Sequence, residues 1–492
     1  MNHTQETIDL AKASLADPQA AILAKAGWAQ PSSATSGINA YDLETPSKKL
    51  FPVLSPLRNM LPRDGSGVGT AVNWRAVTGI NTGNLTAGVS EGARGGMVTT
   101  TTTDNTIGFK GLGLEDNVTF EAQYAGKSFE DVRALAQLDL LSALMIEEER
   151  IILGGCSADT LATPAAPVGT LKAGGSMTAQ VTYAYVVALT LEGFRQSSVS
   201  GGIPGTVSRN RTGPYGGSDT IALGNSHVSS VSNSVTTATT NLSALWTVTA
   251  VRGAVAYAWF TGPTGAGNAI LTAITTTNSF LQLADATGSQ AANDAAVTTD
   301  HSGDTTVFDG IIGIASKSGN NGYWKSLDNA ALTSDGAGGC VEIDAMLQDR
   351  YDNYRLGFER IWFSSADAKN FKKKILTQNS ANAFQFFIQD GEQIKPTGGS
   401  MIPEYLNMFT GETIRMMVHP YLPQGTLIAE TQNLPYRLNG VPNVLKIKAR
   451  QDYYSLEWPQ TRRAYEYGVY ADEVLQCYFF PALGVISNIG NS

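Results

Sequence analysis

The sequence predicts an α+β chain interrupted by an all-β insert, on three observations. Residues from Phe129 to Leu153 carry a long helical apolar period, and a period of two runs through Val72, Trp74 and Ala76. From Leu161 to Asp300 the composition turns to Ser, Thr, Gly and Val, with five basic and five acidic residues in all. Charged residues make up 16% of the 492, and the 51 glycines exceed the usual share, a mix of β-rich folded protein rather than disorder. At roughly 100–200 residues per domain the length implies two to four folded units.

Charge and cysteine usage exclude several classes. With 34 Lys and Arg against 43 Asp and Glu the formal charge is -9, which argues against a chain that grips a polyanion by counterion release. Cys156, Cys340 and Cys477 lie too far apart for a multi-bridge framework or a four-ligand zinc site, so a reducing compartment is expected. No basic region followed by an apolar run opens the sequence, and no stretch approaches the roughly 18 apolar residues of a bilayer crossing. A soluble, unsecreted chain with no membrane partner is expected.

Taken in order, residues 1–50 hold a weakly amphipathic stretch, Thr7 to Lys25, and then lose all period, as an arm would. In 51–62, Pro52, Pro56 and Pro62 alternate with apolar residues, which predicts an extended, docked segment. Within 63–110, a strand around Val72–Ala76 and another from Val98 to Phe109 flank a glycine-rich interval. Such a ribbon has no core of its own and must lie on something else. Ser128-Phe129-Glu130-Asp131 has the form of a capping box and opens a spine helix with Val132, Leu135, Leu138, Leu141 and Met145 at helical spacing. The spine falls in 111–163.

The insert spans 164–303, with alternating runs Val181–Val187 and Ala254–Phe260 separated by turn residues, and reads as a β-sandwich. After 304–340, the region 341–450 is mixed α/β. It contains a helix from Val341 to Asn353, a second capped by Ser364-Ser365-Ala366-Asp367, and strands near 413–418, 426–429 and 444–448. Aromatic-rich β-structure fills 451–492.

No catalytic constellation emerges. Gly126-Lys127-Ser128 ends like a phosphate-binding loop, but the glycine required five residues earlier is Glu121, and helix capping explains Ser128. Gly65-Ser66-Gly67-Val68-Gly69 precedes a strand and is a turn. His3, His227, His301 and His419 are scattered, and His419 reads as a strand-end residue. Consecutive residues on a helix diverge by about 100°, so Glu147-Glu148-Glu149 is a charged turn facing solvent or an interface and not a metal site. Lys372-Lys373-Lys374 is a solvated helix face with a secondary capacity to touch DNA. No cofactor, metal or catalytic residue is assigned.

Docked arm, long hairpin, spine helix, mixed α/β region and returning strands, taken with Phe308-Asp309-Gly310-Ile311-Ile312, Arg360-Ile361-Trp362-Phe363-Ser364-Ser365 and Gly411–Val418, resemble the Hong Kong 97-type major capsid protein of tailed phages. The resemblance implies an N-arm (1–50), an E-loop (63–110), a peripheral domain (111–163, 304–340 and 451–492) and an axial domain (341–450). Trp246 through Ala254 and then Tyr257 resemble the tryptophan-to-tyrosine strand pair of a fibronectin type III or immunoglobulin-like domain, with Trp246 and Tyr257 in its core. That domain is expected as surface decoration, removable without loss of the shell.

The implied function is structural: hexamers and pentamers of one chain enclosing a double-stranded DNA genome, in a virion capsid assembled in the bacterial cytoplasm. Trp74, Arg75, Glu91 and Arg94 in the E-loop, and Glu147, Glu148, Glu149 and Arg150 on the spine, are the expected contacts between copies. Leu61 to Phe109 contains no lysine, so covalent welding through the E-loop is not expected, and non-covalent strengthening or a separate cement or decoration protein is. A separate scaffolding protein, a portal and non-specific contact with packaged DNA complete the expected partners. The alternatives are an encapsulin-like compartment and a β-rich tail or surface binding protein.

Overall fold

The computed structural model describes residues 47–80, 87–127, 130–211, 217–238, 242–263, 265–336, 338–377, 387–390, 393–396 and 403–490. Most of the expected N-arm lies outside these residues, as do Ser128 and Phe129 of the expected capping box. The chain divides into a small unit, residues up to Phe51 with Glu121–Val132, and a large one, Pro52–Phe120 with Arg133–Ser492. In the small unit, Ser47 donates through its amide and hydroxyl to the Glu130 carboxylate at 3.1 and 2.9 Å.

Two sheets organise the body of the large unit. A six-stranded sheet runs in the order Tyr323–Ser326, Leu483–Ser487, Leu427–Glu430, Arg360–Phe363, Thr413–Val418, Glu404–Leu406. Helix Val341–Tyr354 lays Ile343, Met346 and Leu347 on it, the i, i+3, i+4 spacing of one buried face, and helix Ser365–Thr377 adds Phe371. The second sheet has four strands, Arg63–Asp64, Leu445–Glu457, Ala464–Cys477 and Lys110–Thr119. These sheets sort the chain differently from the expected domains. Residues 445–450, expected in the axial domain, join the four-stranded sheet, while 323–326 and 483–487, expected in the peripheral domain, join the six-stranded sheet beside strands from 341–450. Strand partners are long-range, and alternation within one strand does not reveal them.

The spine helix runs Val132–Gly154, 23 residues or about 35 Å. It starts three residues later than the capping signal implied and follows a separate short helix, Phe120–Gly126. Its buried ladder is Leu140, Leu144, Glu148 and Ile152 at successive i+4 positions, whereas Leu138 of the expected stripe is 57% exposed. The four-stranded sheet holds the helix at both ends. Arg133 pairs with Glu457 at 2.9 Å and stacks over Tyr465, and Glu148 accepts from the Tyr453 hydroxyl.

The insert forms a three-stranded sheet, Ser279–Gln282, Leu242–Thr247 and Val168–Ala173, and a four-stranded one, Ile270–Thr275, Ala256–Gly262, Val181–Leu189 and Val235–Thr236. Trp246, Tyr257 and Trp259 are fully buried with Ala184, Val186 and Ala244. The Tyr257 hydroxyl accepts from Val251 N at 2.9 Å, a bond back to the preceding corner. Strand Val181–Leu189 is open along one edge beyond Thr182, where Ser226, Ser229 and Ser232 cover it. Their amides donate to the Ala188, Val186 and Ala184 carbonyls, and their hydroxyls accept from the same three residues' amides. Serine at every third position thus satisfies an exposed strand edge without forming a strand.

The insert is continuous with the body. Leu161, ahead of its first strand, belongs to its core, Asn278 Nδ2 donates to Asp328 Oδ1 at 2.8 Å, and Arg252 stacks on Trp324 and donates to Ser316 O. Glycine is required at 425, where φ is +87° and an added Cβ would stand 3.1 Å from Thr276 O of the insert. These contacts argue for a structural insert rather than a peripheral one. Deleting 165–303 strips partners from Ser316, Trp324 and Asp328, and the truncated chain is expected in the insoluble fraction. A soluble truncation with cooperative thermal unfolding by circular dichroism would contradict this.

Candidate assembly surface

The feature of the large unit least explained by its own packing is the hairpin Ala71–Ile80 with Thr100–Gly108, a two-stranded sheet of its own. Val72, Trp74 and Ala76 take the half-buried face, while Asn73, Arg75 and Val77 are exposed. Trp74 packs edge-on against Tyr478 at 5.9 Å, with its indole N–H buried and without an acceptor, so it roots the ribbon inside its own chain. Arg75 and Asp104 face each other in register and pair at 2.5 and 2.8 Å with both side chains largely in solvent, where water and salt screen the pair. Beyond the strands, Glu91 and Arg94 are exposed around a turn in which Ala93 N donates to Ser90 O and Gly92 takes φ +78°. Apolar side chains are exposed with them: Met97 is 91% exposed, and Val77, Ile80 and Val98 are about as open as Leu138.

The root of this ribbon is fixed. The segment read as extended, 51–62, contains one helical turn, Pro56–Met60, because proline at the first helical position lacks only an N–H that would have no partner there. The Glu149 carboxylate closes that turn, accepting Leu57 N at 2.9 Å and Arg58 N at 2.6 Å. His419 Nε2 meets the same carboxylate at 2.6 Å. Tyr421 N donates to its Nδ1, which assigns the ring proton to Nε2. Glu148 points elsewhere, to Arg58 Nε at 3.0 Å, Arg63 Nη1 at 2.5 Å and the Tyr453 hydroxyl. Arg63 goes on to Glu473 at 2.5 Å and Asp452 at 2.6 Å. Lys448, Ser66 and Lys446 hold Asp64 well below the usual carboxylate range. Gly67 then passes close enough to strand Leu445–Glu457 that a Cβ would lie 2.6 Å from Ala449 O.

Glu148 and Glu149, expected as contacts between copies, are 1% and 0% exposed and bind within the chain. The 100° between them is the reason: Glu148 falls on the buried ladder of the spine, and Glu149 turns to the strap and His419. Glu147 and Arg150 pair with each other, Arg150 lies over the Tyr421 ring, and both stay half-buried at a cavity wall. Trp246 and Tyr257 are buried together in the insert. Sequence reasoning missed Arg58, Arg63, His419, Tyr453 and Glu473. Pro56 after Ser55 was the one local signal, marking the helical turn that Glu149 caps. The three cysteines are buried, and burial pushes each thiol up to about 12. Among the described residues no cluster of His, Cys, Asp and Glu is placed to hold a metal, and no helix is long and apolar enough to cross a membrane.

No family model and no curated protein matches the chain. Among solved structures it is similar to the capsid of Cyanophage A-1(L), with a TM-score of 0.42 at 9% identity over 92% of this chain and 98% of that one. It is also similar to the capsid of Myoviridae Phage XM1, at 0.41 and 7% over 92% and 97%, and to the capsid of the native GTA particle, at 0.42 and 10% over 92% and 95%.

Two measurements check the anchoring network. Glu149→Ala leaves two amides and an imidazole N–H buried without an acceptor and is expected to cost about 3–5 kcal/mol in chemical denaturation. Burial, with the Glu148 charge next, pushes the Glu473 carboxyl from 4.5 up to about 8, against the pull of Arg63. The folded state therefore holds a proton that the unfolded state has lost. Stability linked to this group is full below about pH 4.5 and falls as pH rises through about 8. Thermal melts across that window should slope down for the unsubstituted chain and flatten for Glu473→Gln, whereas equal slopes would remove Glu473 as their source.

Proposed function

We propose that the chain is the major capsid protein of a tailed double-stranded DNA phage, of the Hong Kong 97 type, forming hexamers and pentamers of an icosahedral shell. One observation carries the reading: a ribbon about 30 Å long, exposed along much of both strands, stands on a root held by the buried Glu148 carboxylate and its two arginines. A rigid root with an uncovered arm suits a part that is completed by another copy. A head-to-tail contact of this kind closes into rings when the rotation allows.

In this reading the hairpin is the E-loop, the four-stranded sheet and spine form the peripheral domain, and the six-stranded sheet forms the axial domain. The insert is an immunoglobulin or fibronectin type III-like domain, a reading supported by its three-plus-four strands and the Tyr257 corner. It serves as part of the wall and not as removable decoration. Arg75, Glu91 and Arg94 remain contact candidates between copies. A scaffolding protein, a portal and a cement protein are the partners, and packaged DNA is touched without sequence preference.

Negative-stain microscopy of the expressed chain, alone and with its neighbouring genes, tests this. Shells hundreds of ångströms across are expected, while a monodisperse monomer under both conditions would overturn it. Replacing 78–101 by a short glycine turn is expected to leave the thermal transition within a few degrees and abolish shells, because the described residues of that segment are largely solvent-exposed.

A further inference from the structure

The insert buries the outer face of one of its two sheets and leaves that of the other open. On the four-stranded sheet, Val187, Leu189, Ala258 and Phe260 alternate with the core residues Val186, Ala188, Tyr257 and Trp259, and so point away from Trp246. Ile203, Ala292 and Val297, from the insert's own connections, cover them. On the three-stranded sheet the register sets Val168, Thr247 and Ser279 in one row of the outer face, Thr170, Leu245 and Leu281 in the next, and Lys172 with Ser243 in a third. Val168 and Leu281 are about half exposed, as is Leu283 two residues beyond, and Leu245 is half-buried at the centre. Outer positions of a sandwich sheet are ordinarily polar, so aliphatic residues there mark a face that something else covers.

The edge of this sheet is closed to a partner strand at Gly169, whose amide donates to Asn233 Oδ1 at 2.7 Å and whose carbonyl accepts from Asn233 Nδ2 at 2.9 Å. The hydroxyls of the face are already met: Thr170 and Thr247 donate to the Leu245 and Val168 carbonyls across the sheet. Charge chooses the occupant. Lys172 is the single charged residue among the eight register positions, on a chain whose formal charge is -9. In a two-fold contact each residue lies near its own counterpart, so a charged face opposes itself and an uncharged one does not. Recognition of an unlike partner draws on complementary charge, and two of the three rows have none.

We propose that this face packs against the same face of a second copy about a two-fold axis, linking one ring to the next. The pairing rests on the proposed self-assembly and adds a contact of another symmetry: head-to-tail contacts close a ring, and a shell also needs contacts that join rings. Thr170 and Leu281 flank Leu245 on either side, each one strand or about 5 Å away, so in such a pairing both positions come near their own counterparts. The insert then belongs to the assembly and not only to the fold of its own chain.

The test is Leu281→Cys and Thr170→Cys, one substitution per chain, each assembled and treated with a bis-maleimide. Covalent dimers are expected on denaturing gels for both, and none for Val231→Cys, exposed on the insert but off this face. The native thiols, buried and poorly ionised, give little background. Charge supplies a second readout, one that a merely structural role would not move. Leu281→Asp and Leu281→Lys should each keep the parent's thermal transition within a few degrees, since Leu281 is about half exposed, and each should lower shell yield at least tenfold by setting like charges against each other. An equimolar mixture of the two should restore shells. Shells without dimers, or a mixture no better than its parts, would overturn the pairing while leaving self-assembly intact, as would a crosslink to a co-expressed protein in place of dimers. Absence of shells from the unsubstituted chain would overturn the assembly reading itself.

Discussion

Two adjacent carboxylates on the spine helix, Glu148 and Glu149, hold the architecture together. Neighbouring helix positions diverge, so one pair of residues binds in two directions at once. Glu149 ties the turn Pro56–Met60 to His419, just beyond strand Thr413–Val418 of the six-stranded sheet, and Glu148 ties Arg58 and Arg63 to Tyr453 of the four-stranded sheet. A buried charge stripped of its partners costs several kcal/mol, so the strap cannot leave this site without leaving two carboxylates uncompensated. The hairpin begins seven residues after Asp64.

The insert follows the same logic of uncovered groups finding cover. Its strand Val181–Leu189 is satisfied along an edge by a serine at every third position, and its corner residues Arg252 and Asn278 reach past the insert to Trp324, Ser316 and Asp328. An ornament would bury its polar groups within itself. Here the polar groups at the boundary are shared, so the insert and the six-stranded sheet stabilise each other, and the cavity between insert and spine follows from that joint.

Elements whose signal is local were legible in the sequence: the alternation of Val72, Trp74 and Ala76, the spine, the insert strands, and Trp246 and Tyr257 in one core. What failed depends on distant partners. Leu483–Ser487 reads like any buried strand, and nothing within it announces Tyr323–Ser326 and Leu427–Glu430 as its neighbours. Glu148 and Glu149 resemble a solvated turn until Arg58, Arg63 and His419 are brought to them from far along the chain. Ser226, Ser229 and Ser232 have the composition of a loop, and only the edge beside them gives their spacing meaning. At the assembly surface, exposure of the ribbon followed from its lack of a core, but the sorting of contact candidates did not. Trp74, Glu148 and Glu149 belong to the chain's own interior, while Arg75, Glu91 and Arg94 face outward.

Hydrogen–deuterium exchange on the isolated chain and on the assembled particle bears most directly on the claim that a rigidly rooted ribbon waits for a second copy. Amides of the strap, 56–64, should be protected in both states. Those of Ala71–Ile80 and Thr100–Gly108 should exchange quickly along their outer edges in the isolated chain and become protected on assembly. A ribbon already protected in the isolated chain, or one unchanged by assembly, would contradict it.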